Sequence, residues 1–303
     1  MSIAAIAGVM VLSVSSCLKD DSEAKRVEEK KILADYITTN YPSVEPSSSG
    51  LYFIETQHGT GDSIKAINWM EIKYTARLVS NNQVVMTSDM QIAKDNNIYL
   101  EGTFYGPTRL ILGQIRPIAL NEGIAKMKEG GKVRLIFPSD IGLGGVSNGN
   151  IPAYSSLIFD IELFKVIPDI KAYESSLMLS YLTAHNMSTD STSTGIYFSE
   201  TTPGTGDFPV DGKLVTVTYK AKLLNGTVFD NSGKSFSLTI GNQQVIPGFE
   251  EGVKLLRKGG SGTVVIPNYY AYGEYGRYNN SGRYVIPPFS TLVFDISVTS
   301  IAK

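Results

Sequence analysis

Two long stretches of this chain repeat each other, so whatever fold the sequence encodes, it encodes twice. Gly50-Leu51-Tyr52-Phe53-Ile54-Glu55-Thr56 recurs as Gly195-Ile196-Tyr197-Phe198-Ser199-Glu200-Thr201. At the same offset Gly59-Thr60-Gly61-Asp62 recurs as Gly204-Thr205-Gly206-Asp207, and Tyr74 as Tyr219. Beyond that the offset slips, because the first copy carries insertions. The match resumes with Glu122-Gly123 against Glu251-Gly252, and with Leu157-Ile158-Phe159-Asp160-Ile161 against Leu292-Val293-Phe294-Asp295-Ile296. A period this long marks a duplicated domain rather than a solenoid repeat. At 303 residues the chain is long enough for each copy to bury its own core.

The second copy has the clearer periodicity. Val215, Val217, Tyr219, Ala221 and Leu223 alternate with Thr216, Thr218, Lys220 and Lys222, which predicts a half-buried strand. Asn225-Gly226 supplies a tight turn and Val228-Phe229 opens the return strand. Phe236, Leu238 and Ile240 alternate in the same way, as do Leu292, Phe294, Ile296 and Val298. Between them Phe249, Val253 and Leu256 fall on one helical face, with Arg257-Lys258 suited to its last turn and Gly259-Gly260 to its end. The first copy keeps the scaffold: Ile72, Tyr74, Ala76 and Leu78 alternate, and Leu120, Ile124 and Met127 make the helix face. The predicted fold class is α+β, two units that each pack an antiparallel sheet on a short helix.

A helical stretch precedes each copy. Val27, Ile32, Leu33 and Tyr36 form the apolar stripe of the first, and Tyr173, Leu177, Leu179 and Leu182 that of the second. Both read as spacers or inter-domain packing elements, and each runs into a Ser- and Thr-rich linker. The chain therefore divides into residues 1–17, a helical segment and linker at 18–49, the first copy at 50–167, a helical linker at 168–194, and the second copy at 195–303.

Residues 3–14 are apolar and small, too short for an ordinary membrane span but the right length for the core of a signal peptide. The run ends in Val14-Ser15-Ser16-Cys17, which resembles the lipobox of bacterial lipoproteins, and charge begins at Lys19-Asp20-Asp21. Cys17 is the expected lipidation site. An exported protein anchored in the outer membrane by that lipid, on its periplasmic side or at the cell surface, is the expected location.

Cys17 is the only cysteine, which excludes an intrachain disulfide and a cysteine-based zinc site, and the two histidines, His58 and His185, lie far apart in sequence. No metal or cofactor is expected. Net charge is −2 with no Lys/Arg-rich run, which argues against a nucleic-acid partner.

Five ordered blocks of the second copy resemble the FKBP-type peptidyl-prolyl cis-trans isomerases. They are Val228-Phe229-Asp230-Asn231-Ser232, residues 241–252 from Gly241-Asn242-Gln243 through Ile246-Pro247-Gly248-Phe249-Glu250-Glu251-Gly252, Pro267-Asn268-Tyr269-Tyr270-Ala271-Tyr272-Gly273, Ile286-Pro287-Pro288 and Leu292-Val293-Phe294-Asp295. The resemblance implies a catalytic set of Tyr219, Phe229, Asp230, Ile246, Phe249 and Tyr272, with Phe236, Val245, Ile286 and Phe294 lining the substrate pocket. Phe249 would be the floor under the proline ring, where the family usually has an indole. The Ile246 N–H and Tyr272 hydroxyl would donate to substrate carbonyls, and Asp230 would face the strained carbonyl or orient its neighbours. The implied partners are proline-containing unfolded or partly folded polypeptides. The first copy reads as disarmed: its Phe-Asp pair is replaced near Met86-Thr87, Leu120 stands at the floor and Leu143 in place of the hydroxyl-bearing tyrosine. The alternative is a non-catalytic peptide-binding or chaperone lipoprotein that uses both modules.

Overall fold

A computed structural model describes residues 14–233 and 235–302. The signal-peptide core expected ahead of Val14 lies outside the described residues. No described helix is long and apolar enough to cross a membrane. The described residues separate into two compact units, 14–99 with 106–166, and 100–105 with the described residues from 167 to 302.

The first unit contains α1 (Val14–Asn40), β1 (Tyr52–Gln57), β2 (Trp69–Leu78), β3 (Val84–Thr87), α2 (Met90–Asp95), β4 (Thr108–Ile111), α3 (Ile118–Ile124), β5 (Lys132–Phe137) and β6 (Leu157–Ile167). The second contains α4 (Ile170–Ala184), β7 (Tyr197–Thr202), β8 (Leu214–Leu223), β9 (Val228–Asn231), β10 (Phe236–Thr239), α5 (Pro247–Lys254), β11 (Ser261–Ile266), the short pair β12 (Arg277–Tyr278) and β13 (Tyr284–Ile286), and β14 (Leu292–Ile301). Strand order is β1-β5-β6-β2-β3 in one sheet and β7-β11-β14-β8-β10 in the other; β1–β5, β5–β6 and β2–β3 in the first and all four pairings in the second are antiparallel. The long strands β2 and β8 each hold two partners in succession. In β8, Leu214–Val217 pair β10 and Lys220–Lys222 pair β9; in β2, Trp69–Ile72 pair β4 and Thr75–Arg77 pair β3. The fold class is α+β, with two like units.

Alternation along the strands gives each sheet two apolar faces. In the second unit Val264, Ile266, Leu292 and Phe294 cluster with Phe249 and Val253 of α5. Their neighbours Val265 and Val293 point to the opposite face, where Met178 and Leu182 of α4 cover them. The first unit repeats this, with Leu120 and Ile124 of α3 on one face and Leu33 and Ile37 of α1 on the other. The close approach of the short helix explains the repeated Glu-Gly pair. A Cβ at Gly252 would lie 2.8 Å from the Val264 side chain, and one at Gly123 would lie 2.3 Å from that of Leu135.

The preceding helices are thus covers for the sheet of their own unit rather than spacers; of the predicted stripes Ile32, Leu33, Tyr36 and Leu182 pack on the sheets, while Val27 and Leu179 do not. Val27 is 61% exposed and Leu179 43% exposed, while the buried positions of α4 are Ile170, Glu174, Met178 and Leu182. A carboxylate in the middle of the stripe hides it from an apolar pattern. Glu174 Oε1 accepts the Thr291 N–H at 2.6 Å. Its counterpart at the repeat offset, Glu29 of α1, accepts from Ser139 N–H and Oγ at 2.6 Å each and from Ser156 Oγ at 2.7 Å. Both glutamates are buried, so these bonds replace the water each carboxylate leaves behind. Helix α5 closes at Lys254 with Leu255 as its cap, so Arg257-Lys258 lie beyond it rather than in its last turn.

Candidate active site

Seven of the ten residues expected in the second copy lie on six elements, and the other three lie in the segments beside them. Tyr219 is on β8, Phe229 and Asp230 on β9, Phe236 on β10, Phe249 in α5 and Phe294 on β14. Val245 and Ile246 lead into α5, Tyr272 follows the 3-10 turn Asn268–Tyr270, and Ile286 ends β13. Nine of them belong to, or pack against, one apolar cluster, and Asp230 joins it through the Tyr219 hydroxyl.

Tyr219 is its centre. Its ring lies 5.2 Å from Phe249, 5.9 Å from Phe294 and 6.1 Å from Phe236, with edge or tilted geometry that suits aromatic quadrupoles. Phe249 and Phe294 meet at 5.1 Å, and Phe229 reaches Phe294 at 6.0 Å. Phe249 is buried beneath these rings, whereas Tyr219, Phe229, Phe236, Val245, Ile246 and Tyr272 keep partial exposure. The result is an apolar surface open to a ligand, with Phe249 in its base.

Polar groups are few and specific. The Tyr219 hydroxyl donates to Asp230 Oδ2 at 3.0 Å. Burial, then the Asp230 charge, push the Tyr219 phenol up to about 12, while Arg277 opposes the shift. Asp230 is placed by its β9 pairing with Ala221, and the turn after it is fixed by Ser232, whose Oγ accepts the Tyr219 N–H at 2.9 Å. Ile246 is the N-cap of α5 with extended backbone, and Pro247 at the first helical position adds no N–H there.

The first unit repeats the Tyr–Ser lock, since Ser88 Oγ accepts the Tyr74 N–H at 2.9 Å. That lock and the pairing of Ala76 with Met86 set the correspondence, so Val85-Met86 replaces Phe229-Asp230, one residue earlier than expected. Register likewise sets Thr108 where Phe236 stands, since Thr108 pairs Ile72 as Phe236 pairs Val217. Leu120 and Leu143 pack in the cluster as anticipated. One loss escaped the sequence reading: Pro117 is the N-cap of α3 where Ile246 is the N-cap of α5. A proline cannot offer the backbone donor. The offset that matches Glu122-Gly123 to Glu251-Gly252 also matches Pro117 to Ile246, so the signal was present.

Outside the site, His58 Nδ1 is 3.1 Å from Glu55 Oε1, and His185 stacks on Tyr181 with its Nδ1 2.8 Å from the Tyr181 carbonyl. In both cases the partner is local, three or four residues away in sequence.

Comparison with known proteins bears on this geometry. The sequence profile of the FKBP-type peptidyl-prolyl cis-trans isomerases matches residues 61–164 and 206–299. The chain is 40% identical over 111 residues to the probable FKBP-type peptidyl-prolyl cis-trans isomerase FkpA of Neisseria meningitidis, covering 36% of this chain and 39% of that protein. It is 29% identical over 218 residues to the peptidyl-prolyl cis-trans isomerase FKBP9 of Bos taurus, covering 68% of this chain and 33% of the other. Among solved structures, FkpA from Escherichia coli matches at 34% identity with a TM-score of 0.37, covering 43% of this chain and 60% of that one. The matched region thus spans about two fifths of the first of these relatives.

Proposed function

This chain belongs to the FKBP-type peptidyl-prolyl cis-trans isomerases, and on that premise we propose that it isomerises proline peptide bonds of unfolded or partly folded polypeptides, with the activity in the second unit. The Tyr219–Asp230 pair, set in an aromatic cluster still open at its surface, carries the reading.

The reaction needs neither nucleophile nor metal. Its obstacle is amide resonance, a barrier of about 18–20 kcal/mol that leaves uncatalysed exchange at roughly tens to hundreds of seconds. A site lowers this barrier by binding the twisted amide better than either planar form. Water favours the more polar planar amide, so a dry aromatic surface shifts the balance toward the twisted one. In this chain the proline ring would rest on Phe249 while the Ile246 N–H and Tyr272 hydroxyl hold the substrate carbonyls. Asp230 would face the carbonyl as it rotates, and Tyr219 would hold that carboxylate in place.

The first unit is proposed as a peptide-binding module without turnover. Met86, Leu120 and Leu143 keep an apolar surface, and with Pro117 they remove the acid, the floor ring, the hydroxyl and the backbone donor together. The proposed location is outside the cytoplasm, with lipid on Cys17 as the anchor, and clients would be exported chains. Exchange spectroscopy of a proline peptide tests the activity: a catalytic amount of the protein should produce cis–trans cross-peaks on the seconds timescale. Exchange no faster than in buffer would reject the enzyme reading.

A further inference from the structure

Residues 88–107, between β3 and β4, have no counterpart of similar length in the second copy, where β9 and β10 are separated by residues 232–235 alone. The insertion holds α2 and then a short strap, Leu100–Tyr105, which groups with the second unit although its sequence lies in the first copy.

The strap is built onto the second unit. The Phe104 N–H donates to the Tyr284 carbonyl at 2.7 Å, along the open side of β13. Asn279 Nδ2 donates to Thr103 Oγ1 at 2.9 Å, while its own Oδ1 accepts the N–H groups of Ser281 and Arg283, so the amide is committed on both sides. Tyr105 is 9% exposed, and its hydroxyl accepts the Leu100 N–H at 3.0 Å, closing the strap on itself. Phe104 is half-buried and packs against the cluster that contains Phe249, Ile286 and Phe294.

This places an aromatic ring against the apolar cluster on which the candidate site is built. Tyr284 stands two positions before Ile286, and Ile286 pairs with Arg277, the residue whose charge reaches Tyr219. The strap does not seal the site, because Tyr219, Phe229, Phe236 and Tyr272 remain partly exposed. A segment held by backbone and side-chain bonds, with its phenyl ring only partly buried, has the form of a fixed wall rather than a plug.

We infer that Phe104 is a further substrate-binding residue of the second unit's site, contacting an apolar side chain next to the client's proline. This rests on the reading of that site as one that binds proline peptides. Exposed apolar area on a preorganised segment adds affinity without an ordering cost, and it favours clients with an apolar neighbour to the proline.

The test uses the full chain, its Phe104→Ala variant and the conservative Phe104→Leu variant. Each is assayed with tetrapeptides carrying leucine, phenylalanine, glycine or glutamate before the proline, and with the same peptides labelled for fluorescence anisotropy. Phe104→Ala should raise KM and Kd for the leucine and phenylalanine peptides roughly three- to tenfold. The glycine and glutamate peptides should change by less than about twofold and kcat should hold, since no reacting group is touched. Phe104→Leu should recover most of the loss. A uniform change across all four peptides, no change, or tighter binding in Phe104→Ala would each overturn the inference, as would a wild-type chain that binds none of them. If the anisotropy pattern appears without turnover in any protein, the enzyme reading fails and the role of Phe104 stands.

Discussion

The Tyr219 hydroxyl and the Asp230 carboxylate meet at 3.0 Å, across strands β8 and β9, inside a cluster otherwise made of aromatic and aliphatic side chains. Each depends on the other. The phenol leaves water for a ring environment and finds an acceptor, and the carboxylate gains a donor that fixes its direction.

A titration follows from this pair. Burial and then the Asp230 charge raise the phenol from 10.0 to about 12, so the folded chain holds that proton more tightly than the unfolded chain. The linked stability is intact below pH 10 and is lost as pH rises toward 12. In the difference between wild type and Tyr219→Phe, the tyrosinate absorbance should appear only as pH approaches 12. A phenol titrating near 10 in that difference would contradict the burial of Tyr219 against Asp230.

The base of the site gives a second expectation. Phe249 touches both Tyr219 and Phe294, so truncating it removes packing as well as the floor. Phe249→Ala should cost about 3–5 kcal/mol of unfolding free energy in urea. Phe249→Leu should stay folded by circular dichroism and still lose roughly tenfold in kcat/KM, because it fills volume without a ring face. Full activity in folded Phe249→Leu would show that the ring is not the platform.

The buried glutamates make a third. Glu29→Ala strands the Ser139 N–H that Glu29 now accepts, and Glu174→Ala strands the Thr291 N–H. Each should lower unfolding free energy by about 1–3 kcal/mol, with the glutamine variants losing less because an acceptor remains. Denaturant midpoints unchanged in both alanine variants would mean that α1 and α4 do not stabilise their sheets.

These glutamates also mark where the sequence stopped being legible. Strand periodicity in Val215–Leu223 predicted β8, and the ordered blocks around Asp230, Phe249 and Tyr272 predicted which residues converge. The apolar pattern finds Ile32, Leu33 and Tyr36 of α1 and Leu182 of α4 but not Glu29 and Glu174, because a pattern of apolar side chains cannot register a buried carboxylate paired with backbone. Val85-Met86 was placed one residue late, since nothing local to β3 fixes register; the Tyr74–Ser88 bond does. The strap at Leu100–Tyr105 was legible only as an insertion, because its partners, Asn279 and Tyr284, are remote in sequence.

Anchoring is expected at Cys17. Expressed in a Gram-negative host, the chain should fractionate with membranes and incorporate a labelled fatty acid, and Cys17→Ala should do neither. Lipid labelling that persists in Cys17→Ala would remove this assignment.

The division of labour between the units is tested most directly by a protease-coupled proline-peptide assay on two full-length variants. In Asp230→Leu/Tyr272→Phe the second unit loses its acid and its hydroxyl, and in Met86→Ser the first unit is altered at the position equivalent to Asp230. The first variant should fall by on the order of a hundredfold in kcat/KM, toward the uncatalysed rate. Met86→Ser should retain wild-type kcat/KM within about twofold. Near wild-type turnover in folded Asp230→Leu/Tyr272→Phe would contradict the placement of catalysis in the second unit.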